Sequence, residues 1–245
     1  MSAPLPHHCV TSSWCAKRGE AKLGVMDWTA VGLTAKLAAC TTAILLVLGL
    51  PLAYWAATTR RWWRVLVEAS IALPILLPPT VLGFYLLVAG GPRSPIGRFF
   101  QSAFGHLLPF SFGGILLGSV IYNLPFALRP FTSAFAAVDR RLVEASWCLG
   151  VSRAGTFFRV TLPISRAGVL TGIVLAFAHT VGEFGVVLML GGDIPGVTRT
   201  LSISIYDSVQ AMDYAAAGHT SLVLVVFAFV VLSLTYGLQR RVLPV

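Results

Sequence analysis

Residues 139–163, DRRLVEASWCLGVSRAGTFFRVTLP, form a basic, mildly amphipathic island between two long apolar segments. The island is too polar to sit in lipid and too patterned to be only a linker. Asp139 can cap a short helix that carries Leu142, Val143, Ala145, Cys148 and Leu149. Gly150 then ends it, because the left-handed conformation that closes many helices is cheap only for glycine. Ser152 can start a second short helix, and Pro163 suits the first turn of the next long segment, where its missing N–H costs little. The expectation is two short helices at a sharp bend, lying outside the bilayer.

Outward from the island the chain is apolar. Of its 245 residues, 56% are hydrophobic and 11% charged, with a mean hydropathy of +0.82. Ordinary soluble domains carry about 25% charged residues. The sequence therefore reads as an all-α integral membrane protein. A net charge of +9 would suggest nucleic acid in a soluble protein, but here the arginines cluster at the ends of apolar runs, as topology signals do. Nucleic acid is discarded as a partner. Cys9, Cys15, Cys40 and Cys148 form no CxxC or zinc spacing and support no disulfide framework. His7, His8, Cys9 and Cys15 are metal-ligating types, but they lie in a polar stretch unlike the rest, so neither metal nor cofactor is expected.

Residues 1–26 lack the apolar core of a secretory signal and read as a flexible tail. Met26 opens a stretch that suits a translation start as well as Met1 does. Residues 27–245 form the membrane domain. Its first apolar run, 37–57, is long enough for a hydrocarbon core of ~30 Å. Pro51 should bend it, and Lys36 can snorkel at its outer end. Arg60, Arg61, Trp62, Trp63 and Arg64 make a basic and aromatic belt that marks the other end as cytoplasmic.

The second run, 65–89, contains Pro74, Pro78 and Pro79, each removing a backbone donor, so the helix must break or kink in mid-membrane. Such backbone survives there only under cover of protein or beside a water-filled path, which makes Pro78 and Pro79 candidates for shaping one. Glu68 is expected to pair with a local arginine. Residues 90–112 read as an outer loop. The third run, 113–137, carries Gly114 and Gly118 at small-residue spacing, with Asn123, Pro125, Arg129 and Pro130 further on. Arg129 lies toward the cytoplasmic end, as an interface anchor or as a contact for a departing anion.

In the fourth run, 167–190, Gly168, Gly172, Ala176, His179 and Glu183 recur at steps of three or four and so share one helical stripe. An ionisable residue inside a span costs ~2.5–3.5 kcal/mol on insertion scales and normally faces protein or water. His179 and Glu183 are thus expected at an internal interface, one turn apart and able to pair. A glycine-rich turn follows at 191–196. Residues 201–217 are too hydrophilic to span unaided and read as an outer or re-entrant helix, with a sixth span as the alternative. The last span is 220–238. Beyond Met26 there are 15 Lys and Arg, ten in segments placed inside and three (Arg93, Arg98 and Arg199) outside. The bias predicts five spans with the amino end out and the carboxyl end cytoplasmic.

The island also resembles a known signature. Glu144, Ala145, Ser146, Gly150, Val160, Leu162 and Pro163 match the Glu-Ala-Ala, glycine and Ile-x-Leu-Pro pattern on the cytoplasmic coupling-helix loop of membrane subunits of ATP-binding-cassette importers. Serine replaces the second alanine and valine the isoleucine, both keeping size or branching. In that family the loop, here between the third and fourth spans, docks into a groove on the ATPase subunit and passes its closure to the membrane helices. Residues 182–218 resemble permeases for tetrahedral oxyanions, and IPGVTRTLSISIYD with DYAAAG resembles the molybdate members most. The likeness extends through PILLPPTVLG and covers roughly residues 27–241. It implies a homodimer in lipid, two cytoplasmic ATPase subunits, and an outer solute-binding protein that delivers molybdate and tungstate.

Two further readings stay open. One is a sulfate or thiosulfate permease of the same class. The other is a proton-coupled anion carrier using His179 and Glu183, since histidine titrates near neutral pH. A phosphate-binding loop needs a Gly-Lys pair, and the chain has no lysine after Lys36. The chain is therefore read as no enzyme, with ATP hydrolysis belonging to a partner. A dianion leaving water needs replacement donors, and Thr198, Arg199 and Thr200 with the Gly191–Gly192 backbone could supply them. Equally, that loop could simply contact the binding protein. Glu183 would repel a bare dianion and is assigned to the gate.

Overall fold

The computed structural model describes residues 27–59 and 61–242, and among these the chain is helical with no strand. The expectations for residues 1–26 and for Arg60 fall outside the described residues. Helix α1 runs Trp28–Thr58, nine residues earlier than the apolar run, because the Asp27 side chain accepts from the Thr29 and Ala30 N–H groups and caps it. Lys36 consequently sits two turns inside α1 rather than at its outer end, with its ammonium 4.6 Å from the centre of the Phe112 ring.

The proline-rich second run is broken. Helix α2 (Arg64–Leu76) and helix α3 (Pro79–Gly90) meet at 109°, with Leu77 and Pro78 extended between them. The expected loop after α3 contains a further helix, α4 (Pro95–Phe104). Its signals were present in the sequence: Ser94 Oγ accepts the Gly97 N–H at 2.8 Å, Pro95 opens the first turn, and Gly105 closes it at φ +73°. Helix α5 (Phe112–Ala136) carries Pro125 and Pro130 in its interior.

The island follows as α6 (Arg140–Cys148), α7 (Arg153–Thr156), a π-helical turn over Phe157–Thr161, and α8 (Leu162–Ile164). The segment Arg153–Ile164 then bends by 76° into α9 (Arg166–Gly182). The fourth run is not one helix. It stops at Gly182, and α10 (Gly185–Gly191) begins after an extended Glu183. Helix α11 (Leu201–Gln210) has ten residues, ~15 Å at 1.5 Å per residue, and is too short to cross a hydrocarbon core of ~30 Å. Helix α12 (Tyr214–Val242) starts six residues before the apolar run because Asp213 accepts the Ala216 N–H at 3.0 Å.

Among the described residues three helices are long and apolar enough to cross a membrane, and the count is five if each bent pair is one span. The core lies where α1, α5 and α9 meet, through Leu45, Ala53, Ala127, Leu128, Phe131 and Ala176. A second cluster joins Leu37, Ile115, Val187 and Ile203 where α10 and α11 close over the other end. Small residues allow this approach: a Cβ on Gly172 would lie 2.5 Å from the Phe131 ring. Helix α12 is mostly exposed, presenting Leu222, Val225 and Phe229 to the surroundings, as a lipid-facing span does.

Candidate functional site, a bent polar island and two broken helices

Asp139 accepts the Arg141 N–H at 2.9 Å and starts α6, on which Arg140 Nε and Glu144 Oε1 form an exposed pair at 2.8 Å. Ala145 is exposed, while Ser146 is buried and its hydroxyl lies 3.0 Å from Thr156 Oγ1 on α7. The serine that stands where the signature has alanine therefore fastens the two short helices to each other. Gly150 makes the bend at φ +76°, with open space around its Cα. Ser152 Oγ accepts the Gly155 N–H at 3.1 Å and starts the second arm. Val160 lies in the π-helical turn, and Leu162 and Pro163 lie in α8. Leu142, Trp147 and Leu149 are all exposed on the first arm, Leu149 at 83%.

The second arm is tied to the spans by aromatic packing. The Phe157 ring sits 4.9 Å from Tyr54 on α1 and 5.8 Å from Phe135 on α5, and Tyr54 and Phe135 are themselves 5.9 Å apart. One ring thus joins the island to two long helices.

The two helix breaks touch. A Cβ on Gly185 would lie 2.7 Å from Pro79 Cβ, and one on Gly83 would lie 2.7 Å from Met189 Cβ, so α3 and α10 pack with almost no space between their backbones. Beside this contact lies a polar cluster buried among the spans. His179 and Glu183 do not pair directly, because the chain leaves the helix at Gly182 and carries Glu183 off the stripe. Asn123 of α5 bridges them instead. Its Oδ1 accepts from His179 Nδ1 at 2.9 Å, and its Nδ2 donates to Glu183 Oε2 at 2.9 Å and to the Ser119 carbonyl at 2.8 Å. The imidazole stacks on Phe126 with ring centres 3.8 Å apart. Glu183 is 4% exposed, and its Oε1 and the Ser119 hydroxyl have no hydrogen-bond partner among the described residues.

The glycine-rich turn uses its own donors. Thr198 is fully buried, its hydroxyl donating to the Gly191 carbonyl at 2.8 Å and accepting the Ile194 N–H at 3.1 Å. Arg199 is forked onto Asp193, with Nη2 2.8 Å from Oδ2, and reaches Asp207 at 3.3 Å. The Asp193 hydrogen bond, against the opposing effect of burial, holds the Arg199 guanidinium above its ordinary pKa. Thr200 is buried, and its hydroxyl has no hydrogen-bond partner among the described residues. This trio builds the turn more than it offers free donors.

The sequence matches the description "binding-protein-dependent transport system inner membrane component" over residues 46–244. The chain belongs to that family. Among relatives of this transport component, the molybdenum transport system permease protein ModB of Azotobacter vinelandii is 48% identical over 214 residues, covering 87% of this chain and 95% of the relative. The protein of the same name from Escherichia coli K12 is 34% identical over 184 residues, covering 75% of this chain and 80% of its own. In fold, the transport component resembles a bacterial ABC transporter that imports the acidic polysaccharide alginate, at TM-score 0.72 and 17% identity, covering 87% of this chain and 79% of that one.

Within this transport component, Asn123 is the functional candidate that residue-by-residue reading passes over. Its signal was available: an amide in the middle of an apolar span needs partners, and the next intramembrane polar pair, His179 and Glu183, was the obvious supply.

Proposed function

We propose that this transport component is the permease subunit of an ABC importer for molybdate and tungstate, acting as a homodimer with two ATPase subunits and an outer solute-binding protein. The amino end lies outside and the carboxyl end in the cytoplasm, a reading supported by the arginine bias at the ends of the spans. The chain binds no ATP itself. The substrate rests on the 48% identity to a molybdenum permease across 87% of the chain.

The observation that carries the mechanism is the seating of Phe157 between Tyr54 and Phe135. Glu144, Ala145, Ser146 and Gly150 form the docking arm, and Val160, Leu162 and Pro163 the arm that leads back to the spans. ATPase closure moves the first arm, and the Ser146–Thr156 contact and the Phe157 ring carry that motion to α1 and α5. The gate is the paired break at Pro78, Pro79, Glu183 and His179, held by Asn123. Thr198, Arg199 and Thr200 set the shape of the outer turn that meets the binding protein.

The test is uptake by the reconstituted complex of permease, ATPase and binding protein. ATP-dependent molybdate accumulation, with sulfate much poorer, is expected. Preference for sulfate would move the substrate, and uptake by the permease alone in a proton gradient without ATP would overturn the mechanism.

A further inference from the structure

The end of α5 nearest the island carries Arg129, Thr132 and Ser133 at steps of three and four, which places them on one helix face. That face looks into a cavity of about 310 Å³, walled on its other sides by Ala56 of α1 and by Glu68 and Ile71 of α2. The volume accommodates a small anion with several waters at about 30 Å³ each. Arg129 makes no hydrogen bond or ion pair with the described residues. Glu68, the acid on the opposite wall, is held by Arg64 at 2.7 Å, so its charge is already answered. The cavity therefore presents one uncompensated guanidinium and two hydroxyls against an otherwise largely apolar wall.

A guanidinium fork matches two oxygens of a tetrahedral oxyanion, and hydroxyls complete the donor set. One arginine with neutral donors also holds an anion without trapping it, as passage requires. We propose that this cavity is a tetrahedral-oxyanion site formed by the Arg129 guanidinium and the Thr132 and Ser133 hydroxyls. Two sources share that chemistry: the transported anion on its way out, and the phosphate of an anionic lipid headgroup. The first source rests on the oxyanion-permease reading above; the second does not.

The experiment uses the intact permease and ATPase complex in lipid nanodiscs, wild type against R129Q, with R129K as the charge-retaining control. Tungstate is located by its scattering, bound phosphatidylglycerol is counted by native mass spectrometry, and uptake of molybdate and sulfate is measured in proteoliposomes of the same complex supplied with the outer binding protein. Passage predicts a tungstate peak beside Arg129, absent in R129Q, and an uptake rate lowered about tenfold or more, as loss of a charged hydrogen-bonded contact implies. R129K should recover part of that rate. A lipid source predicts no tungstate peak, unchanged uptake, and bound phosphatidylglycerol lost only in R129Q. Neither tungstate nor lipid at Arg129, with R129Q behaving as wild type, overturns the site. Wild type that transports neither anion refutes the substrate reading alone, because the tungstate and lipid arms still decide the cavity.

Discussion

Asn123 and Glu183, sixty positions apart in sequence, are joined by a 2.9 Å hydrogen bond from the amide to a carboxylate that is 4% exposed. Removing one partner of a buried pair leaves the other without its donor, which costs about 1–3 kcal/mol and more where a charge is stranded. Asn123→Leu should therefore lower the thermal midpoint of the purified protein clearly. Glu183→Gln, which keeps an acceptor for the Asn123 amide, should cost far less stability while changing transport rate. Equal destabilisation by the two substitutions would show that the bond is incidental. A selective change in sulfate against molybdate uptake in Glu183→Gln would show that the carboxylate selects substrate and does not gate.

The bend of the island tests separately. Gly150 stands at φ +76° with nothing within 4 Å of an added Cβ, so any penalty at this site is a backbone penalty. A left-handed conformation costs an ordinary L residue about 1–2 kcal/mol, and a β-branched one more. Gly150→Val should leave membrane insertion intact and weaken assembly with the ATPase or its stimulation by substrate. Normal stimulated ATP hydrolysis in this variant would argue that the island does not dock.

Much of the architecture was written plainly in the sequence. Asp139, Gly150 and Ser152 are strong local signals, and the island forms as they dictate. Pro78 and Pro79 lack N–H groups, so a break there was unavoidable. The break after Gly182 was harder to read, because Glu183 continues the helical stripe in register and only the glycines on either side hint that the chain leaves it. The Asn123 bridge was legible only in part: an amide in mid-span asks for partners, but which ones it meets depends on the pairing of α5 with the end of α9, a tertiary fact no local period encodes. Thr198 and Arg199 looked like free donors because their partners, Gly191 and Asp193, are supplied by the fold of the turn itself.

Close packing of α3 on α10 gives a third prediction. Gly83→Ala puts a methyl 2.7 Å from Met189 Cβ and 3.2 Å from Val186 Cα, whereas Gly182→Ala meets nothing within 4 Å. Overpacking of this kind costs about 1–3 kcal/mol. Thermal unfolding in detergent should show a lowered midpoint for Gly83→Ala and little change for Gly182→Ala. The reverse order would contradict the packing of the two broken helices.

The start of α1 should respond to acid. Burial alone would raise the Asp27 carboxyl, but hydrogen bonds from Thr29 and Ala30 hold it below its ordinary 3.8. A lowered carboxyl contributes stability above the unfolded value and loses it as pH falls through the folded one. Amide exchange over the first turn of α1 should therefore quicken at acid pH below 3.8. Asn also caps helices well but does not titrate there, so Asp27→Asn should keep protection at neutral pH and lose the acid step. An acid step that persists in this variant would assign it to another group.

The π-helical turn over Phe157–Thr161 stores one residue more than a plain α-helical ladder would hold. Deleting a single residue there would let the ladder close as an ordinary helix while rotating everything before it by about 100°. The Phe157 ring would then swing out of its notch, and the lever would turn freely on its axle without moving the rods it serves.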